Sequence, residues 1–367
     1  MIPFKVGIFV TGKDFCGREA EIRKLTEYIE SSFRVLIAGE RRTGKSSLIM
    51  ETSRRMPGWK FAYIDLRTVS TMEKLCERTA NGIYSAFKTQ SVLKNITNAI
   101  SSLRPGISID SQTGDFKVSI SPGAEPDYRS MEELLRIAGK PRTIVVFDEL
   151  QDIMELPDYE TILAGMRTVI QNQPDTAYIF SGSILHGMNR LFTDPDAAFF
   201  RSAQQLNIGK INRNEFADYI RERFKNGQRT VTENAMDEIL QFGRGNPGDI
   251  QRLCIGIWEV TDKNIEITTA TVQQGMTQIC NLESESFADK LAYLSPNQIR
   301  CLSTITAMDW PIQINSKFIS NSGLSSYSAA LAAMKGLEKK RILLHRGHNW
   351  NISTPFFIHW FKTSGLV

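Results

Sequence analysis

The stretch Gly39-Glu40-Arg41-Arg42-Thr43-Gly44-Lys45-Ser46 has the residue types and spacing that hold a polyphosphate. Gly39 and Gly44 let the backbone wrap closely around phosphate oxygens, so that N–H groups of the loop and of the following helix point at the anion. Lys45 would reach the β- and γ-phosphates, the Ser46 hydroxyl would ligate Mg²⁺, and Ser47 is the next contact in line. Further on, Asp148 and Glu149 close the apolar run Thr143-Ile144-Val145-Val146-Phe147. Two carboxylates at the end of a buried strand divide the work: Asp148 for the metal shell, Glu149 to orient or deprotonate an attacking water. Either acid alone could cap a helix. Together, downstream of a complete loop, they predict a site that binds ATP with Mg²⁺ and hydrolyses it.

The elements around these residues are those the chemistry needs. Phe33-Arg34-Val35-Leu36-Ile37-Ala38 reads as a buried strand, and Ser47 to Met56 as a helix stopped by Pro57. Lys60 to Leu66, Thr143 to Glu149, Ala177 to Ser183 and Gln204 to Ile208 read as further strands, with a helix over Met72 to Phe87. The expected fold is therefore α/β, a P-loop NTPase with a parallel sheet. Ser181 and Ser183 end a strand at the functional edge, where either hydroxyl meets the γ-phosphate or both merely make a turn. Ahead of the loop, Phe15, Gly17 and Arg18 precede an amphipathic helix carrying Ile22, Leu25, Tyr28 and Ile29. That is a place for an adenine pocket. From Ser102 to Asp127 prolines and glycines break the pattern around two alternating runs, Ile107 to Asp110 and Phe116 to Ile120, a hairpin inserted into the core domain. It is either a contact arm or a surface decoration.

A chain of 367 residues, 41% apolar and 23% charged, has material for two or three ordinary domains. No apolar run approaches a membrane span, and Met1-Ile2-Pro3-Phe4-Lys5 does not begin a signal peptide. Five cysteines without C-x-x-C spacing read as reduced thiols in a cytoplasmic protein, and the four histidines have no metal-ligand spacing. The net charge of +4 is unevenly placed. Ser295–Val367 carries eight basic residues against Asp309 and Glu338, leaving that segment at +6 and the first 294 residues at −2. Boundaries are expected at 1–211 for the ATPase domain with its hairpin insertion at 102–127, 212–282 for a small helical lid, and 283–367 for a winged-helix domain. In the last, helices over Pro296–Ala307, Ser316–Ser322 and Ser325–Lys340 precede two strands joined by His345-Arg346-Gly347-His348. Its cations Lys335, Lys339, Lys340, Arg341 and Arg346 gather near the helix end and the wing, suited to the backbone of duplex DNA.

Phe15-x-Gly17-Arg18-Glu19-x-Glu21-Ile22, Gly39-x-Arg41-Arg42-x-Gly44-Lys45-Ser46, Asp148-Glu149-x-Gln151 and Gly245-Asn246-Pro247 follow one another in an order and spacing that resembles the archaeal-type ATPase family. That family is a branch of AAA+-like and STAND-type P-loop NTPases, related more distantly to origin-recognition initiators. The resemblance implies that Gly245-Asn246-Pro247 opens a nucleotide-sensing lid helix with Pro247 near the nucleotide, and that Arg252 or Arg244 serves as a sensor. It places Arg201 as an arginine finger, acting within the chain or on a neighbouring copy in an ATP-state homo-oligomer, against the alternative of a structural ion pair. Three functions follow: a DNA-binding, ATP-hydrolysing switch; a STAND-like signalling ATPase whose winged helix meets protein; or a nucleotide-binding scaffold, which the presence of Glu149 disfavours. The +6 segment favours DNA, with no membrane partner.

Overall fold

The computed structural model describes residues 2–40, 42–103, 105–109, 116–120, 128–183, 187–308, 312–346 and 349–365. These fall into two units, Ile8–Ile211 and Met1–Gly7 with Asn212–Val367. In the first unit the order is α1 (Glu19–Glu30), β1 (Arg34–Gly39), α2 (Lys45–Arg54), β2 (Lys60–Asp65), α3 (Met72–Phe87), α4 (Gln90–Ala99), β3 (Pro105–Ile109), β4 (Phe116–Ile120), α5 (Tyr128–Ala138), β5 (Thr143–Asp148), α6 (Tyr159–Gln171), β6 (Thr176–Ser183), α7 (Met188–Thr193) and β7 (Gln204–Ile208).

Strand β5 is buried along its whole length, which requires cover on both faces of the sheet. The sheet order is β2-β5-β6-β1-β7, and every neighbouring pair is parallel. Alternation sorts the residues of each strand between two cores. Val35, Ile37, Ile144, Val146, Ala177 and Ile179 meet α1 and α2 through Ile22, Leu25, Ile29, Leu48 and Ile49. Leu36, Ala38, Val145, Phe147, Tyr178 and Phe180 meet α3, α5 and α6 on the other side. Each aliphatic side chain so buried contributes about 1.5–3 kcal/mol, which fixes the register and the common polarity of the strands. All five expected strands are present, and α2 begins at Lys45 rather than Ser47 because the loop itself makes its first turn.

The hairpin pairs antiparallel, as expected. Residues 104, 110–115 and 121–127 of the insertion lie outside the described residues. Strand β4 is fixed to α3 by Asn81, whose amide donates to Val118 O and accepts from Val118 N, both at 2.9 Å. Val118 is buried, so the inner strand of the insertion belongs to the core. Upstream of α1, the segment beginning at Ile8 lies along α2. Val10 N donates to Ser47 Oγ at 3.2 Å and Gly12 N to Glu51 Oε2 at 2.8 Å.

The second unit contains α8 (Arg213–Asn226), β8 (Arg229–Val231), α9 (Glu233–Phe242), α10 (Pro247–Glu259), β9 (Ile265–Ile267), α11 (Thr269–Leu282), α12 (Ser284–Ala292), α13 (Pro296–Thr306), α14 (Ser316–Ser322), α15 (Tyr327–Lys339), β10 (Leu343–Arg346), β11 (Asn349–Ile352) and α16 (Pro355–Thr363). Phe4 packs among these helices, 4.9 Å from the Phe224 ring and 6.4 Å from Trp258. Helix α16 buries Phe356, Phe357, Ile358 and Phe361, and Phe356 meets Phe242 of α9 at 4.7 Å. Among the described residues no helix is long and apolar enough to cross a membrane.

Candidate nucleotide site

Parallel pairing brings the chemically equipped residues to one edge of the sheet. Gly39 pairs with Ser183 and with Ile208, Asp148 with Ser181, and Asp65 with Asp148. Gly39 has no room for a side chain: a Cβ there would lie 2.9 Å from Ile208 O. Gly44 caps α2 at φ 90°, a conformation that favours glycine and turns the chain from loop into helix. Between them, Lys45 Nζ donates to Glu40 O at 2.9 Å and Gly39 O at 3.2 Å, and Thr43 Oγ1 donates to Glu40 O at 2.8 Å. Arg42 adopts φ 64°, and Arg41 lies outside the described residues.

Arg18, almost fully buried, donates through Nη2 to Thr43 O at 3.0 Å and Gly209 O at 2.9 Å, while Nη1 meets Glu21 at 3.0 Å. Its guanidinium thus ties the loop to the end of β7. Gly17 and Arg18 both take left-handed backbone, and Phe15 packs against the α1–α2 core. The three residues named for the nucleotide ahead of the loop therefore flank it, with Arg18 engaged by backbone oxygens. Ser47 accepts from Val10 N and fastens the amino-terminal segment to α2.

The acidic half of the site is a bonded cluster. Ser46 Oγ donates to Asp148 Oδ2 at 2.6 Å, Tyr63 OH donates to the same oxygen, and Glu149 N donates to Asp148 Oδ1 at 3.1 Å. Burial first, then the Asp148 carboxylate, push the Tyr63 phenol well above its ordinary range, so it is a donor throughout the working pH range. Glu149 has φ 55°, an uncommon conformation for a non-glycine residue, and its Oε2 accepts from Gln151 Nε2 at 2.7 Å. The same Gln151 nitrogen meets Asp152 Oδ1 at 2.9 Å. Ser181 Oγ is buried without a hydrogen-bond partner among the described residues, level with Asp148. Ser183 is placed by its backbone beside Gly39.

Hard oxygen donors suit Mg²⁺. With its proton on Asp148, the Ser46 hydroxyl keeps its lone pairs for a cation, so Ser46 and Asp148 fit the metal expected of them. Among the described residues no cluster of three or more histidine, cysteine or acidic side chains forms a separate metal centre.

Arg201 is not part of this constellation. Gln204 pairs with Val35 and Ile208 with Gly39, so Arg201 lies beyond the end of β7 that faces away from the loop. At about 3.3 Å per residue, Gln204 to Ile208 spans about 13 Å along the strand. It is exposed, its guanidinium lies 5.1 Å from the Phe200 ring, and no ion pair holds it among the described residues. In the second unit, Pro247 opens α10 behind Asn246, whose Oδ1 accepts from Gly248 N at 3.0 Å. Arg252 pairs with Glu283, which fits a structural ion pair rather than a spare phosphate contact. Arg244 sits half-buried at φ 51°.

Sequence reasoning missed Tyr63, and it quoted Gln151 in a motif without giving it work. The signal for Gln151 was its place two residues after Glu149. For Tyr63 it was a hydroxyl-bearing aromatic one alternation before Asp65, the residue in register with Asp148.

Residues 15–253 match the model of a family described as an ATPase domain predominantly from Archaea. The fold is similar to that of a Walker-type ATPase of Pyrococcus abyssi, with a TM-score of 0.66 and 18% identity over 98% of this chain and 99% of that one. It is also similar to the ORC1 protein of Aeropyrum pernix, solved in complex with DNA, with a TM-score of 0.53 and 13% identity over 96% of this chain and 94% of that one. No curated protein matches in sequence.

Proposed function

The chain belongs to the family of ATPase domains found predominantly in Archaea, and from that premise we propose that it is a Mg²⁺-dependent, ATP-hydrolysing switch that binds duplex DNA through residues 295–367. The observation that carries the hydrolytic half is the 2.6 Å bond from Ser46 to Asp148, which joins the phosphate loop to the acidic strand end. Lys45, now resting on loop carbonyls, is the cation for the β- and γ-phosphates. Bound through Ser46 and Asp148, Mg²⁺ would neutralise charge on the phosphates. Glu149 orients and deprotonates water, with Gln151 holding its carboxylate. Arg201 precedes β7 at the end away from the loop, which favours action on a neighbouring copy in an ATP-state oligomer.

The DNA half rests on the +6 charge of Ser295–Val367 and on an element order there that suits a winged helix: α13, α14, α15, then the β10–β11 hairpin. The similar ORC1 protein was solved with DNA. Free thiols, four of them buried, suit a cytoplasmic setting. One observation favours the rival reading, a signalling ATPase that meets protein. Lys340, expected among the DNA-facing cations, instead donates to Tyr293 O and to Gln298 Oε1 at 3.0 Å, leaving fewer cations for phosphate. The deciding experiment is ATP turnover with and without duplex DNA at low salt. Turnover that needs Mg²⁺ and changes on adding duplex supports the switch. Turnover indifferent to DNA, with no duplex retarded in a gel, transfers the proposal to a protein partner.

A further inference from the structure

Asp148 is buried, and its three hydrogen bonds are unevenly shared. Oδ1 takes the Glu149 N–H, whereas Oδ2 takes both the Ser46 and the Tyr63 hydroxyls. A carboxylate oxygen accepts at about two lone-pair sites. We propose that Tyr63 is a positioning residue for the metal-holding carboxylate: with Ser46 it fills Oδ2, so that Oδ1 is the oxygen left with acceptor capacity for a water of the Mg²⁺ shell. This deepens the reading of Asp148 given above and rests on it.

The ring of Tyr63 is held for that purpose from two sides. Phe61 stacks beside it on β2 at 6.1 Å, and Phe9 meets it edge-on at 5.5 Å and 70°. Phe9 is a neighbour of Val10, whose N–H is bonded to Ser47, and the same segment is bonded again where Gly12 meets Glu51. The amino-terminal segment thus clasps the phosphate-loop helix and braces the tyrosine. Phe9 is 43% exposed, so it braces the ring from the solvent side. The Tyr63 phenol takes the carboxylate that Ser46 of the phosphate loop also takes.

The test is the Mg²⁺ dependence of binding of a non-hydrolysable ATP analogue, measured by calorimetry for the full chain, with Tyr63→Phe and Asp148→Asn. Removing one hydroxyl from a charged acceptor should raise the Mg²⁺ needed for half-maximal affinity by about tenfold. Affinity in EDTA should stay at the wild-type value. A half-maximal Mg²⁺ within twofold of wild type, or an equal loss in EDTA, overturns the proposal. Asp148→Asn separates the two levels of inference. If that variant keeps the wild-type Mg²⁺ dependence, the metal reading of Asp148 fails and the role of Tyr63 with it; if it loses the dependence while Tyr63→Phe does not shift, only the role of Tyr63 fails. Should Tyr63→Phe not fold, Phe9→Leu loosens the brace and should move the Mg²⁺ dependence in the same direction, and no movement there overturns the proposal equally.

Discussion

At the residue scale, Glu149 and Lys45 are set apart by what they touch. Lys45 rests on loop carbonyls, whereas Glu149 is held by Gln151 at the end of β5. Glu149→Gln should therefore bind ATP with near wild-type affinity yet lose about 10²–10⁴ in turnover, the range supplied by a positioned base. Equal turnover would remove Glu149 from the chemistry. Lys45→Ala should instead lose nucleotide affinity. Arg201 makes a different prediction because it stands at the far end of β7. Arg201→Ala should depress turnover by about 10³–10⁵ with little change in affinity, as arginine fingers do in other P-loop enzymes. Mixing it with Glu149→Gln should restore part of the rate, since one variant keeps the finger and the other keeps the base. Turnover per chain that is independent of protein concentration, with no recovery on mixing, would return Arg201 to the surface.

At the scale of elements, helix α2 joins the loop to its surroundings through one buried acid. Glu51 is 1% exposed and accepts from Arg54, Arg55 and the Gly12 N–H. The Arg54 bond foremost, opposed by burial and aided by Gly12 and Arg55, lowers its pKa from 4.5 to about 2. A carboxyl whose folded pKa lies below its unfolded one contributes stability above the unfolded value and loses it as pH falls through the folded value. The wild-type chain should accordingly lose up to about 3 kcal/mol between pH 4.5 and about 2 from this group. Glu51→Gln should be less stable at neutral pH and lack that part of the acid transition. Denaturant titrations at several pH values check it; parallel pH curves for the two proteins would show that the ion cluster is inert.

At the scale of the whole molecule, the cations open to the proposed DNA contact are those that the second unit does not use itself. Lys340 closes the end of α15 onto α13 and the Tyr293 carbonyl, while Lys335 and Lys339 are exposed on α15. Lys340→Ala should thus cost stability, whereas a Lys335→Ala/Lys339→Ala double variant should cost affinity for every duplex alike. Each phosphate contact contributes roughly 0.9 to the slope of log K against log salt, so the double variant should flatten that slope by up to about 2. The start of α15 offers Tyr327 and Ser328 rather than arginine, asparagine or glutamine, and strong sequence preference is not expected. A salt slope unchanged by the double variant would move the contact to another face.

What the sequence determined by itself was whatever depends on local pattern. Four adjacent apolar residues in β5, Ile144 to Phe147, demand a doubly covered parallel strand, and a glycine loop between strand and helix demands an anion site. The phosphate loop, Asp148, Glu149 and all five strands of the sheet were legible for that reason. Helices α4, α5, α6, α7, α12 and α16 and the β8–β9 pair were not read, because their apolar faces gain meaning from the cores they cover. Long-range placement decided the rest. Strand order alone puts Tyr63 beside Asp148 and Arg201 at the wrong end of β7 for its own loop. Lys340 reads in the sequence as a cation open to phosphate, whereas in the fold its exposed ammonium donates to Tyr293 O and Gln298 Oε1, since a lysine's partners are set by what folds back to meet it.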